Sequence, residues 1–321
     1  MASLPRRLAA RLARLLGIAP AAPPPAPERQ DKHLWTIGLL EGPSPLVLAP
    51  ARVPQPILRG EAVQGVDAAF VADPFLVPDV HGAWLFFELY NTDRAKGEIG
   101  VARTDDWRTF TGARVVLRQD VHLSYPCVFA HEGAWYMIPE THEARAVRLY
   151  RASAFPDGWE LVATLLEGAV MADATPLLHD GRWYLFVDAS PAKRHETLRL
   201  YHAEALTGPW AEHPASPLLV GAPTHARPAG KLVRHDGRLY RFAQDCVPHY
   251  GMAVRAFEVT RLDATGYAEQ PVALDPPLAG SGTGWNAAGM HHVDAHQRPD
   301  GTWVAATDGW RWASMREVLR R

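Results

Sequence analysis

Five positions along this 321-residue chain carry side chains that could do chemistry together: Asp73, Tyr125, Asp173, Arg227 and His292. A second set, Glu88, Glu140, Asp188, Asp245 and Asp308, runs in step with the first. Carboxyl groups gathered at one place repel one another and shift in pKa, which acid/base chemistry requires. A guanidinium among them can grip a phosphate with two parallel hydrogen bonds. The mixture of acid, phenol, guanidinium and imidazole suits an asymmetric polar ligand.

What must position these residues is a repeated hairpin. Val71-Ala72-Asp73-Pro74-Phe75-Leu76-Val77 reads as a buried strand, which returns through Gly82-Ala83-Trp84 to Glu88. The unit recurs from Tyr125-Pro126 through Gly133 to Glu140, from Asp173 through Gly181 to Asp188, from Arg227-Pro228 through Gly237 to Asp245, and from His292 through Gly301 to Asp308. The turn glycines are spaced by 51, 48, 56 and 64 residues. A period near 50 with two clear strands per unit is the signature of propeller blades, so the expected fold is an all-β, five-bladed β-propeller. Each glycine stands where a hairpin needs positive φ, beside an aromatic that packs between sheets.

Third strands are expected around Ile99–Ala102, Val147–Tyr150, Leu198–Tyr201 and Val254–Phe257. The segment Leu34–Leu40, ahead of the first blade, is placed to complete the last one and close the ring. In such a ring the first set lines one mouth of the central channel, and the second set forms an outer ring around it. The inner position varies in chemistry while the apolar pattern around it is kept, as in a scaffold that presents a ligand site. For the outer carboxylates, Asp188 and Asp308 above all, the competing reading is a hairpin end bonded to neighbouring turns.

His291-His292-Val293-Asp294-Ala295-His296 puts His292, Asp294 and His296 on one face of a strand, an arrangement that imidazole and carboxylate could offer to zinc. No second ligand cluster supports zinc. A histidine lining the channel, with a cation held through water at its centre, is the preferred reading, and no dedicated metal ligand is assigned. Gly280-Ser281-Gly282-Thr283-Gly284 precedes no helical pattern, so it is a rim loop and not a phosphate-binding fingerprint.

Composition narrows the classes. With 47% apolar residues the chain can bury a large core as one domain, and a net charge of −2 argues against a general nucleic-acid binder. Eleven tryptophans exceed what packing needs; most belong between blades, and the remainder could be sugar platforms. Two cysteines give no disulfide framework. Residues 1–32 are different in kind: Leu4, Leu8, Leu12 and Leu15 follow helical spacing among Arg6, Arg7, Arg11 and Arg14, and an alanine- and proline-rich linker follows. Residues 1–18 are too short and too charged to span a bilayer. They suit either peripheral contact with an anionic membrane surface or a loosely docked tail. The propeller is assigned to residues 33–312 and a short basic tail to 313–321. The expected location is cytoplasmic, with the inner face of the membrane as the peripheral option.

Two resemblances attach to these residues. Asp73 and Asp173 resemble the general base and the orienting aspartate of the five-bladed family 43 glycoside hydrolases. That pattern implies a glutamate acid in the fourth blade, where this chain has Arg227, which cannot donate a proton near neutral pH. More closely, Trp35-Thr36-Ile37-Gly38, Ala72-Asp73-Pro74-Phe75, Lys96-Gly97-Glu98-Ile99-Gly100 and His122-Leu123-Ser124-Tyr125-Pro126 resemble the N-terminal domain of glucosamine inositolphosphorylceramide transferases. In the plant members that propeller resembles an accessory to a separate glycosyltransferase domain.

Together these features give a carbohydrate-active protein, read first as an enzyme moving a sugar from a phosphate-activated donor, such as a nucleotide sugar, to a glycan or glycolipid acceptor. Asp73 would act as base, Asp173 would orient the sugar, and Arg227 with Lys231 would meet phosphate. Glu88, Glu140, Tyr125 and His292 would shape the pocket, with Asp245, His291 and Asp294 as further ligand contacts. The alternatives are a glycoside hydrolase in which Glu140 supplies the missing acid, and a non-catalytic carbohydrate-binding propeller.

Overall fold

The computed structural model describes residues 32–190 and 194–313. The readings of residues 1–31 as an amphipathic segment with a linker, and of 314–321 as a tail, lie outside the described residues. Among the described residues, helix is confined to short 3-10 turns, and no helix is long and apolar enough to cross a membrane.

Five antiparallel sheets make the blades of a β-propeller. Blade I comprises Ala68–Pro78, Ala83–Asn91, Lys96–Thr104 and Thr111–Leu117, from the inside out. Blade II runs through Ser124–His131, Ala134–Glu140, Ala146–Ala154 and Asp157–Glu167. In blade III the strands are Ala172–His179, Arg182–Asp188, Leu198–Ala203 and Ala211–Glu212. Blade IV is built from Val233–His235, Arg238–Asp245, Ala253–Leu262 and Tyr267–Val272, and Leu278–Ala279 adds to its third strand. Blade V takes Val293–Gln297 and Trp303–Ala313 from the end of the chain and Lys32–Ser44 and Val47–Pro50 from its start. The joining pair runs from Lys32 opposite Ala313 to Gly42 opposite Trp303 without a register shift. The ring is therefore closed by main-chain hydrogen bonds, as the position of Leu34–Leu40 leads one to expect.

The core lies between blades. Phe75 and Phe86 of blade I pack with Met137, Tyr150 and Trp159 of blade II, and Ile138 and Leu149 of blade II with Trp183 and Leu185 of blade III. Phe186 and Leu200 meet Leu239 and Val259 of blade IV, and Phe242 meets Val293 and Ala305 of blade V. Leu39 and Val304 of blade V return to Val71 and Leu85 of blade I. Each fully buried side chain of this kind contributes about 1.5–3 kcal/mol relative to exposure. These wedges fix the angle between blades and hence the width of the channel.

Three of the hairpins turn on Glu132-Gly133, Asp180-Gly181 and Asp236-Gly237, with both residues at positive φ, the type I′ pattern that matches strand twist. Gly82 departs from the expected positive φ. The carboxylate of Asp79 accepts the His81 and Gly82 N–H groups there, and a Cβ on Gly82 would lie 1.9 Å from the Thr104 carbonyl oxygen. The glycine is kept for close approach.

A comparison of two glycines tests this packing. Gly181 has φ 76 with nothing near its missing Cβ, so Gly181→Ala should cost about 1–2 kcal/mol of left-handed strain. Gly230 has φ 123 and would press a Cβ to 1.9 Å from the Val293 carbonyl oxygen of the next blade. Gly230→Ala should therefore lower the melting temperature well beyond Gly181→Ala, and equal shifts in thermal denaturation would contradict the close blade IV–V contact.

Candidate functional site

The inner strands of blades I, II and III all break register at the same level, between Ala72 and Phe75, Ser124 and Cys127, and Ala172 and Thr175, and blade I has a second shift between Ala68 and Val71. The residue inside each bulge is Asp73, Tyr125 or Asp173, at φ 49, 43 and 51. A left-handed non-glycine residue is strained, and bulges of this kind re-aim a side chain. The strain is offset by carboxylates of the preceding blade. The Asp73 N–H donates to Asp308 Oδ2 (2.9 Å), and the Tyr125 N–H donates to Asp73 Oδ2 (3.1 Å). Tyr125 itself turns under the site. Its hydroxyl pairs with Thr175 Oγ1 at 2.8 Å and accepts the Gly230 N–H at 2.8 Å, which ties blades II, III and IV beneath the pocket.

Above this floor is a cavity of about 230 Å³, walled by Trp35, Phe70 and Tyr250 and by Asp73, Glu88, Glu140, Asp188, Arg227 and His291. Three of the five outer carboxylates hold an imidazole: Glu88 with His122 at 3.3 Å, Glu140 with His142 at 2.5 Å and Asp308 with His291 at 2.8 Å; His195 Nδ1 lies 3.4 Å from Asp188 but accepts from Arg227. In blade IV, Asp245 pairs instead with Arg255 at 2.5 Å. Each pair fixes both partners and leaves further donors and acceptors for ligand hydroxyls. Trp35 stacks on His291 with ring centroids 4.1 Å apart, and Tyr250 stands edge-on to the same ring at 5.0 Å.

Arg227 is spent inside the protein. Its Nε and Nη2 donate to the two oxygens of Asp173 (2.6 and 3.1 Å), Nη2 also reaches Glu140 Oε2 (3.2 Å), and Nη1 meets His195 Nδ1 (2.9 Å). Burial works against its charge, but Asp173 and Glu140 raise its pKa well above the usual range. Burial likewise pushes Asp173 up, with the Arg227 charge pulling against it. For Glu140 burial is overcome: the His142 hydrogen bond and the Arg227 charge hold it well below the usual carboxylate range. Asp73 goes the other way, pushed well up by burial and then by the charges of Glu88, Asp173 and Asp308. Two carboxyl groups driven apart in this way mark acid/base roles. Asp73 Oδ1, buried, has no hydrogen-bond partner among the described residues.

The remaining expected residues separate. Lys231 donates to the Leu76 carbonyl and to Asp294 Oδ2, both at 3.3 Å, and Asp294 also accepts the Leu76 N–H and pairs with His296. These residues brace blades I, IV and V away from the cavity wall. His292 lies between the rings of Phe75 and Tyr125, where burial lowers its pKa to about 4 and leaves it neutral at pH 7. Asp73, His291 and Asp308 each bring one potential ligand atom within 4.8 Å of the others, so they are the residues that could face a cation. Both oxygens of Asp308 already accept N–H groups, which leaves Asp73 Oδ1 and His291 Nε2 as the open atoms.

His122, His142, His195, Ser190 and Tyr250 line the cavity but were not among the residues expected there. His122 and Trp35 did stand inside motifs singled out above. His142 and His195 follow Glu140 and Asp188 closely in sequence, which is a weak signal, and Tyr250 left none.

The sequence matches the family described as "Glucosamine inositolphosphorylceramide transferase 1, N-terminal" over residues 28–310. A glucosamine inositolphosphorylceramide transferase 1 from Oryza sativa subsp. japonica is 36% identical over 300 residues, covering 86% of this chain and 40% of the relative. One from Arabidopsis thaliana is 31% identical over 309 residues, 89% of this chain and 40% of the relative. The chain thus spans about two fifths of the length of these relatives. Among solved structures, the catalytic domain of Coprinopsis cinerea GH62 alpha-L-arabinofuranosidase superposes with a TM-score of 0.57 over 86% of this chain and 97% of that one, at 13% identity. That likeness concerns the fold alone. On the match that runs from the first blade to the last, the chain belongs to the glucosamine inositolphosphorylceramide transferase 1 N-terminal family.

Proposed function

We propose that this propeller is a carbohydrate-active enzyme of the glycosyl-transferring kind, acting on a sugar ring seated in the cavity against Trp35 and Tyr250. The observation that carries the reading is the opposed state of the two carboxyl groups: Asp73 is pushed up and has an unpartnered oxygen, while Glu140 is held down by His142 and Arg227. A buried carboxylate with a raised pKa is a strong base for an attacking hydroxyl. Glycoside hydrolysis would also need a carboxylic acid to protonate the leaving oxygen, and an ionised Glu140 does not supply it. A donor whose leaving group departs without a proton, such as a sugar phosphate ester or nucleotide sugar, makes no such demand. The transferase names of the relatives support the same side, and their glycolipid acceptor class is the one we propose here.

The geometry shifts one role. With its fork closed on Asp173, Arg227 orients Asp173 and helps hold Glu140 ionised, and the imidazoles of His122 and His195 on the cavity wall would face an anionic leaving group. The cavity is smaller than the ~300–1,000 Å³ typical of drug-sized ligands, so a single ring fits and the rest of the donor or acceptor lies outside.

The decisive experiment pairs binding with turnover. Calorimetric titration with monosaccharides and nucleotide sugars should find a ligand whose affinity survives Asp73→Asn, while turnover with a glycolipid acceptor falls by about 10²–10⁴-fold. Equal loss of binding and turnover would make Asp73 a ligand contact and not the base.

The same variant has a stability signature. The folded pKa of Asp73 lies above its ordinary value of 3.8, so its favourable contribution is complete below that pH and is lost as pH rises through the folded value. At neutral pH Asp73→Asn should raise the melting temperature, and the gain should shrink toward pH 4. A destabilised variant at neutral pH would show that the carboxylate is better accommodated than its surroundings imply.

Arg227→Met removes the counter-charge of a buried cluster and should destabilise by about 3–5 kcal/mol in denaturant unfolding. A change below 1 kcal/mol would mean that the fork contributes little in solution.

A further inference from the structure

We propose that the groove beside the cavity, bordered by the exposed ring of Trp312, is a second sugar subsite that holds the unit next to the ring in the cavity. This deepens the reading of the cavity as a sugar site and rests on it. The cavity of about 230 Å³ has room for a single ring, so a glycan or a glycolipid headgroup must continue outside it. A groove of about 770 Å³ lies beyond the Trp35 and Tyr250 wall, a size that takes larger ligands. It is lined by His249 and Met252 of the blade IV loop, by Thr283 of the glycine-rich loop, and by the strand end Trp310-Arg311-Trp312.

One aromatic cluster separates the two spaces. Trp35, which faces the cavity, has its ring centroid 6.2 Å from Tyr250 and 5.9 Å from Trp310, and Trp310 lies 5.1 Å from Trp312. Steps of this size are close to the length of one sugar unit, so neighbouring rings of a chain reach both places. Glycines make the cluster possible. A Cβ on Gly251 would stand 2.5 Å from the Trp35 ring, and one on Gly289 would stand 2.4 Å from Trp310 Nε1. Trp310 Nε1–H donates to the Gly251 carbonyl at 2.7 Å, which pins the blade IV loop to the last strand. Trp310 is buried by these contacts, whereas Trp312 stays 50% exposed. An exposed tryptophan alone needs no explanation. This one is oriented by T-shaped contacts with His33 and Trp310 and borders a groove, as a platform for the apolar face of a sugar must.

The glycine-rich loop supplies the other side. Gly282 and Gly284 have φ 77 and 73, and nothing lies within 4 Å of a Cβ on either. The Ser281 and Gly282 N–H groups donate to the Asn286 and Ala287 carbonyls at 3.1 Å, so the loop is preformed and its open side lets a ligand approach the main chain. The exposed Thr283 hydroxyl and His249 ring offer hydrogen bonds to sugar hydroxyls. Among the described residues no carboxylate lines the groove and Arg311 does, whereas several carboxylates line the cavity. The groove therefore takes a sugar without positive charge.

The test uses the full chain labelled with 5-fluorotryptophan, the Trp312 resonance being identified by its absence in Trp312→Phe. Glucose, galactose, mannose and xylose are titrated beside their linear di-, tri- and tetrasaccharides and followed by calorimetry and ¹⁹F spectra. An oligosaccharide should bind about 10-fold or more tighter than its monosaccharide. It should also shift the Trp312 resonance, which the monosaccharide leaves in place. Trp312→Ala should weaken that oligosaccharide about 3–10-fold, as loss of one aromatic contact does, and change the monosaccharide less than about 2-fold. Thr283→Trp, which fills the groove and leaves the aromatic cluster intact, should act in the same way. A Trp312 resonance unmoved by every oligosaccharide, or oligosaccharide affinity unchanged in both variants, overturns the subsite. A resonance that responds to protein concentration and not to sugar assigns the groove to a second copy. One that responds only to Leu8→Asp assigns it to the chain's own terminal segment, and either result overturns the subsite too. If oligosaccharide binding depends on Trp312 but no donor is turned over, the subsite stands and the enzymatic reading falls. If turnover is found and is indifferent to Trp312→Ala for acceptors of every length, the subsite falls and the function stands.

Discussion

Burying the carboxyl groups of Asp173 and Glu140 without a counter-charge would cost several kcal/mol each, and the Arg227 guanidinium is the group that prevents it. It reaches from blade IV to Asp173 of blade III and Glu140 of blade II, with 8% of its own surface exposed. Much else depends on this contact. Glu140 is ionised because of it and of His142, and Asp173 is oriented by it. The charge that remains on Asp173 helps to push Asp73 up from the far side of the channel. A lysine could match the charge but not the planar fork, so the position reads as one where geometry, and not only sign, is needed.

The repeat and the site pull in different directions. Hairpin packing asks every blade to be alike, and the wedges of apolar side chains between blades are alike. The channel end is where blades differ. An imidazole stands beside four of the outer carboxylates and an arginine beside the fifth, and the imidazoles come from three kinds of place: the entry to the next blade for His122, the following residues for His142 and His195, and the entry to the blade's own inner strand for His291. A ring made this way has a fixed donor and acceptor pattern but no rotational symmetry. That is the requirement for holding a sugar, whose hydroxyls are not related by symmetry either.

Blades and ring closure were legible in the sequence because their causes are local: a turn glycine, an aromatic beside it, and a period near 50. The membership of the site was legible in part, since Asp73, Glu88, Glu140, Arg227 and His291 do come together at one mouth. What could not be read were the bulges. Nothing in the propensity of Asp73, Tyr125 or Asp173 announces a left-handed backbone, and the neighbouring prolines at 74 and 126 are compatible with plain extended strand. The commitment of Arg227 was hidden for a different reason. Whether a guanidinium is free for phosphate depends on distances across three blades, which spacing along one chain does not encode. Lys231 and Asp294 were drawn into the site by proximity in sequence to Arg227 and His292, yet their strands carry them to a brace between blades.

Strain and charge meet at Asp73. Its backbone is left-handed, its N–H is held by Asp308, its inner oxygen holds the Tyr125 N–H, and its outer oxygen is left open toward the cavity. The left-handed backbone and the open oxygen destabilise the fold in isolation; the two hydrogen bonds offset part of that, and the surrounding wedges of apolar side chains tolerate the rest. Structure alone would be better served by an asparagine there, which is why the proposed role as base falls on this carboxyl group. On the proposed reading, the stability given up at Asp73 and the basicity of its open oxygen have one physical origin: a carboxyl group withdrawn from water, surrounded by like charge, with one oxygen left without a hydrogen-bond partner among the described residues.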